Sequence, residues 1–141
     1  MTLVFGLVMN AWDFVVIDEM FLRDEILAHV GAIAPEQRQV HATMTATLDV
    51  AYPFAYGAFQ AGMAYRFLGA PGKWIAPLSL LCIPVDLVEG FAQVMLLTGA
   101  TEFVDLKVVV TPVKLALYVP GLLFALVALA IASQYYWRER E

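Results

Sequence analysis

"LCIPVDLVEGFAQVML", residues 81–96, has the apolar composition of the middle of a membrane-spanning helix, yet it contains Asp86 and Glu89, one helical turn apart. A charged side chain at the centre of a bilayer costs about 2.5–3.5 kcal/mol on insertion scales. Such groups therefore face protein or water, and they commonly mark functional sites. The two acids predict a polar site inside a group of packed helices.

The composition of the whole chain is typical of a membrane protein. Of its 141 residues, 62% are hydrophobic and the mean hydropathy is +0.76, whereas a soluble domain has about 45–50% apolar residues. The net charge of -5 argues against nucleic acid as a partner, because nucleic acid favours a basic face. The single cysteine, Cys82, excludes a disulfide framework within the chain.

The sequence predicts four membrane spans. A bilayer core of about 30 Å requires about 20 apolar residues in a helix, and the candidate segments are residues 3–20, 44–68, 74–98 and 108–133. The first is marginal because it is short and holds Asn10 and Asp13. Residues 21–43 are expected outside the hydrocarbon, as a short amphipathic helix followed by the start of a long helix from Pro35 to about Leu68. We therefore predict an all-α fold in which residues 1–141 form a single membrane domain, an integral membrane four-helix bundle with a short amphipathic helix between the first and second spans.

Basic residues set the expected orientation. Arg66, Lys73, Arg138 and Arg140 lie on the same side as the amino terminus, whereas Arg23, Arg38 and Lys107 lie on the other side among many acids. The positive-inside rule then predicts a multi-pass protein of the cell (inner) membrane with both termini cytoplasmic.

Polar side chains follow one face of each predicted span. In the second-span helix they are Arg38, His41, Thr45, Asp49, Tyr52 and Tyr56, which fall within roughly 60° of one another at about 100° per residue. The third span has Ser79, Asp86, Glu89 and Gln93, and the fourth has Lys114 and Tyr118. These stripes predict an internal ionic cluster in which Lys114 compensates one or two of Asp49, Asp86 and Glu89. A structural use of the cluster, as a set of contacts between helices, stays open beside a ligand site.

The candidate ligand-binding residues are Arg38, Asp49, Tyr52, Tyr56, Asp86, Glu89, Gln93, Lys114 and Tyr118. Asp49, Asp86 and Glu89 are also the candidates for acid–base catalysis. His29 and His41 are the only histidines and both belong to the outer segment, so no metal site and no cofactor are predicted. His41 is expected to be solvated, and Ala58 and Gly62 are expected to mark close helix packing.

Four short segments together resemble a group of small four-helix bacterial membrane proteins of uncharacterised function. The segments are "APEQRQVH", "LDVAYPFAYG", "PVDLVEG" and "TPVKLAL". The matching positions are Arg38, Leu48, Asp49, Pro53, Tyr56, Gly57, Asp86, Glu89 and Lys114, and the resemblance covers roughly residues 30–120. Gly90 departs from the asparagine that the group has after the glutamate. The resemblance implies the fold and this residue set, and it implies no activity.

Three functions fit the sequence. The favoured one is a lipid-binding, small-hydrophobic-ligand-binding or complex-accessory protein, whose partners are membrane lipids, such a ligand or a membrane subunit. The second is an intramembrane enzyme that acts on a lipid or isoprenoid through carboxyl acid–base chemistry. The third is proton or ion translocation by a homo-oligomer, since four helices enclose little pore. No feature of the sequence names a reaction.

Overall fold

The structure, a computed structural model, describes residues 16–18 and 20–138. This part of the chain contains four α-helices and no strand: α1 Arg23–Ala32, α2 Pro35–Phe67, α3 Gly69–Leu97 and α4 Val104–Arg138, with a 3₁₀ turn at Thr101–Phe103 before α4. The all-α prediction is confirmed, as are the long helix from Pro35 and the short helix before it. The first predicted span, with Asn10 and Asp13, lies almost entirely outside the described residues.

Two of the described helices, α3 and α4, are long and apolar enough to cross a membrane. With 33 residues, α2 is roughly 50 Å long at 1.5 Å per residue, but its composition is less apolar than that of α3 or α4. The predicted span at residues 44–68 therefore stays a prediction, and so does the four-helix membrane bundle as a whole.

The chain divides into two compact units, the first Met1–Tyr52 with Asp86–Pro112 and the second Pro53–Val85 with Val113–Glu141. Each of the three long helices therefore contributes one end to each unit. A proline lies within two residues of each of these divisions, at Pro53, Pro84 and Pro112. Proline lacks the N–H that an interior helical position donates, so each long helix loses one backbone hydrogen bond near the division.

The first unit has a hydrophobic cluster formed by α1, the start of α2, the end of α3 and the start of α4. Its buried residues include Ile26, Val30, Ala42, Leu96 and Val104. Two hydrogen bonds close the turn between α1 and α2. The N–H of Ile33 donates to the backbone carbonyl of His29, and the N–H of Ala34 donates to the side-chain Oε1 of Gln37 at the start of α2. An exposed ion pair joins Arg23 to Asp105, and such surface pairs contribute about 0–1 kcal/mol.

Small residues set the packing of the second unit. Gly69 turns the chain between α2 and α3 with a φ of +60°, a left-handed conformation that favours glycine. Gly72 lies so close to the backbone carbonyl of Ala64 that no Cβ fits between them. The packed face of α2 contains Ala61 and Ala64, which are buried, whereas Gly62 has open space where its Cβ would be.

The expectation that Ala58 and Gly62 mark the close helix contact is therefore wrong, because both are exposed. Gly57 instead makes the contact, against Ile83 of α3. Small residues at a spacing of four occur on more than one face of α2, and spacing alone does not say which of those faces packs.

Matched glycine substitutions test this packing. Gly72→Ala is expected to destabilise the protein by about 1–3 kcal/mol, because the added methyl group overlaps the Ala64 carbonyl and forces the backbone to shift. Gly62→Ala is expected to be neutral or to stabilise by up to about 1 kcal/mol, since alanine is the better helix former. Thermal unfolding of both variants in the same detergent measures the difference. Equal melting temperatures for the two variants would contradict the packing described here.

Candidate functional site

The polar stripes of α2 and α3 face the interior. On α2, His41 and Thr45 are buried, while Arg38, Asp49 and Tyr52 are half-buried. On α3, Ser79, Asp86, Glu89 and Gln93 are all buried. The helical arithmetic that put these side chains on one face of each helix is therefore consistent with their burial.

A buried ion pair is the central polar contact of the first unit. Nζ of Lys107 lies 3.6 Å from Oε1 of Glu89, and both side chains are at most 1% exposed. The same nitrogen donates hydrogen bonds to Oγ1 of Thr111 at 3.2 Å and to the backbone carbonyl of Met20 at 3.3 Å. The Thr111 hydroxyl in turn donates to Oε1 of Glu89. One network thus connects α3, α4 and the segment that precedes α1.

A buried ion pair is present, as the sequence predicts. The lysine that pairs with Glu89 is Lys107, whereas the sequence suggested Lys114. Hydropathy alone put Lys107 in an outer, solvated segment, whereas α4 begins at Val104 and includes it. Since α3 and α4 are consecutive helices joined by a short turn, a residue in the first turn of α4 reaches a residue near the end of α3. The signal that sequence reasoning missed is the pair Lys107 and Thr111, one turn apart on the same helical face. The role predicted for Lys114 stays a prediction.

Asp49 and Asp86 line a separate cavity of about 230 Å³ between α2 and α3, within the first unit. Thr45, Gly90, Phe91 and Val94 also line this carboxylate cavity. The Thr45 hydroxyl is buried and has no hydrogen-bond partner among the described residues. The residues of the cavity wall therefore include two acids and a phenylalanine. Among the described residues, no group of three or more His, Cys, Asp or Glu side chains is placed to hold a metal ion.

The remaining predicted site residues fall in different places. Tyr56 and Tyr118 belong to the second unit, where their rings meet edge to face with centroids 4.9 Å apart. The Tyr56 hydroxyl lies 3.3 Å from Sγ of Cys82, and that thiol donates to the backbone carbonyl of Lys114 at 3.8 Å. These residues form a local contact group in the second unit.

Gln93 and Arg38 belong to the first unit. Gln93 is buried, and its Oε1 has no hydrogen-bond partner in the described chain. Arg38 lines a second cavity between α2 and α3, and its Nε donates to the backbone carbonyl of Ile33 at 3.1 Å.

His41 is not solvated, contrary to expectation, because its side chain is fully buried. Burial lowers the pKa of His41 from 6.5 to about 4; the charge of Asp18 opposes this shift and His29 adds to it. Desolvation disfavours the imidazolium form, so the histidine is neutral in the folded protein at pH 7.

Comparison with known proteins adds no relative: no protein-family model matches this chain, and neither curated proteins nor solved structures gave a match. The resemblance to small four-helix membrane proteins accordingly stays a prediction.

Removing one partner of the buried pair is expected to be costly. Lys107→Met leaves the Glu89 carboxylate buried without its cation and is expected to destabilise by about 3–5 kcal/mol. The double variant Lys107→Met with Glu89→Leu removes both charges and is expected to recover most of that loss. Lys73→Met, at an exposed lysine, serves as the control. Denaturation of the three variants in one detergent gives the comparison, and a double variant no more stable than Lys107→Met would contradict the pairing.

Acid is expected to destabilise the protein through His41. The folded-state pKa lies below the unfolded value, so between pH 6.5 and 4 the unfolded chain binds more protons and stability falls as the pH falls. The total loss across that window is about 3 kcal/mol for a shift of this size. In His41→Leu the fall is expected to be largely absent, whereas His29→Gln is expected to retain it. Free energies of unfolding measured at several pH values test this role of His41. If stability decreases with acid in His41→Leu as much as in the native chain, the role is contradicted.

Proposed function

We propose that this chain is a multi-pass inner-membrane protein, with both termini cytoplasmic, that binds a small amphipathic ligand bearing an organic cation. The ligand site is the carboxylate cavity, and the ligand's cationic group lies against Asp49 and Asp86. The observation that carries the proposal is this pair of acids in one cavity wall between two helices of a strongly apolar chain.

Exposed apolar surface supports the membrane part of the proposal. In the apolar windows of α3 and α4 only 33% and 17% of the residues are buried, whereas a core helix of a soluble protein is mostly buried. Large side chains such as Leu123, Phe124 and Val127 lie on the surface of α4. Soluble monomers rarely expose contiguous apolar patches larger than a few hundred Å². In a lipid bilayer these side chains would contact lipid tails, which are equally apolar, instead of water.

The chemistry of the cavity wall supports a cationic group. Asp86 is only 9% exposed, so a carboxylate there is largely removed from water and interacts strongly with a nearby positive charge. Phe91 adds an aromatic ring, and ammonium groups bind favourably over such rings. An ammonium group therefore suits both the acids and the aromatic residue of this wall.

The apolar part of the wall supports an aliphatic remainder. Val50, Leu87 and Val94 line the same cavity, and ligand sites generally combine such apolar surface with a few polar groups that orient the ligand. A Cβ at Gly90 would lie 3.7 Å from Cγ2 of Thr45, an ordinary van der Waals distance, so a small side chain fits at this position. A longer side chain at residue 90 would extend into the cavity.

The test compares a primary amine with a neutral isostere. Decylamine, protonated at pH 7, is expected to bind the protein in phosphatidylcholine nanodiscs at least about tenfold more tightly than decanol, a difference of about 1.4 kcal/mol. In Asp86→Asn this preference is expected to fall below about twofold, because the charge-assisted hydrogen bond is lost. Glu102→Gln, at an exposed acid of the same unit, controls for net charge. Titration calorimetry with empty nanodiscs as the reference gives the affinities.

A steric variant separates the cavity from the surface. Gly90→Leu retains both carboxylates and is expected to abolish amine binding by filling the space next to Thr45. Melting temperatures of all variants check that folding is retained. Equal affinity for decylamine and decanol in the native chain, or amine binding that survives both Asp86→Asn and Gly90→Leu, would contradict the proposal.

A further inference from the structure

A second, larger cavity of about 600 Å³ adjoins the carboxylate cavity. Both cavities have Ala46 of α2 and Val94 of α3 in their walls. They are therefore consecutive parts of one groove between the first four turns of α2 and the last three turns of α3. We call the whole feature the α2–α3 groove. All of its lining residues belong to the first unit.

Arg38 lines the end of the α2–α3 groove that lies away from Asp49 and Asp86. Its Nε bond to the Ile33 carbonyl fixes the base of the guanidinium group and uses one of its five N–H groups. No carboxylate within the described residues forms an ion pair with Arg38. A half-buried guanidinium with terminal N–H groups still available is the side chain best suited to bind a carboxylate or phosphate through two parallel bonds.

The two ends of the α2–α3 groove carry opposite charges. Arg38 and Asp49 are eleven residues apart on α2, so their backbones are separated by roughly 16 Å along the helix axis. Between them the wall contains the apolar residues Ala42, Ala46 and Val94, together with the polar residues Gln39 and Thr43. A phospholipid headgroup, whose opposite charges are only a few bonds apart, is too short to reach both ends. The groove instead matches a molecule with its charges at the two ends of an alkyl chain.

From this geometry we infer that the ligand is an elongated zwitterion, with a carboxylate at Arg38, an alkyl chain over Ala42, Ala46 and Val94, and an ammonium group at Asp49 and Asp86. This inference depends on the proposed function, because the ammonium end is the site proposed above. It adds an anionic subsite and a length requirement that the carboxylate cavity alone does not set.

The experiment uses a series of ω-amino acids on the full chain in phosphatidylcholine nanodiscs. The ligand 12-aminododecanoate is expected to bind at least about tenfold more tightly than its methyl ester, which retains the chain and the amine but not the negative charge. The short 4-aminobutanoate is expected to show no such gain over its own ester, because it cannot span the groove.

Variants assign the gain to Arg38. In Arg38→Gln the difference between 12-aminododecanoate and its ester is expected to vanish, while binding of the ester is unchanged. Arg38→Lys retains the positive charge without the guanidinium fork and is expected to retain part of the difference. Both variants lose the Nε bond to the Ile33 carbonyl. If the affinity difference is lost only in Arg38→Gln, the loss is therefore due to the missing charge and not to misfolding. Melting temperatures of both variants are measured as a control. Asp86→Asn is expected to weaken the binding of 12-aminododecanoate and of its methyl ester to the same extent.

The outcomes separate the two proposals. Suppose that the methyl ester binds and that its binding requires Asp86. If 12-aminododecanoate then binds no more tightly than the ester, or if its advantage is the same in Arg38→Gln, the zwitterion inference is overturned and the proposed cation site stands. If neither compound nor decylamine binds, both proposals fail. A gain that is the same for the short and long amino acids overturns the length requirement and with it the continuous groove.

Discussion

The buried contact between Glu89 and Lys107 is the interaction on which the first unit depends. Removing two charges from water costs several kcal/mol for each ion, and their attraction offsets that cost only when hydrogen bonds satisfy the remaining donors and acceptors. The Thr111 hydroxyl and the Met20 carbonyl provide those bonds. Because Glu89 is on α3 and Lys107 is on α4, a shift of either helix would leave a buried charge unpaired. A shift of the segment before α1 would remove the hydrogen bond from Lys107 to Met20. The pair therefore fixes the register of the helices.

The two acids of residues 81–96 consequently have different environments although they are one turn apart. Glu89 is held by Lys107, whereas Asp86 lines the carboxylate cavity beside Asp49. A lysine next to Glu89 also offsets the repulsion that two like charges three residues apart would create on one helix. The ion pair thus supports the cavity, because it fixes the part of α3 that presents Asp86 to α2.

Much of this arrangement was predictable because helical periodicity is local. The stripes on α2 and α3 follow from the 3.6-residue repeat, and the long helix from Pro35 follows from length and capping signals. The partner of Glu89 was not predictable in the same way. From sequence alone, a lysine among acids near a turn is expected to be exposed to solvent. Only the contact between segments distant in the sequence buries Lys107. The burial of His41 and the contact face of α2 have the same cause, since both depend on which segment packs there.

The most direct test of the account is the distance between Nζ of Lys107 and the Glu89 carboxyl group in a lipid bilayer. Solid-state NMR on protein labelled with ¹⁵N at lysine and ¹³C at glutamate measures it, with Lys107→Met assigning the signal. We predict a measurable ¹⁵N–¹³C dipolar coupling, because Nζ and Oε1 are 3.6 Å apart, and no contact of that amine with water. An absent coupling, or a Lys107 amine in exchange with bulk water, would contradict it.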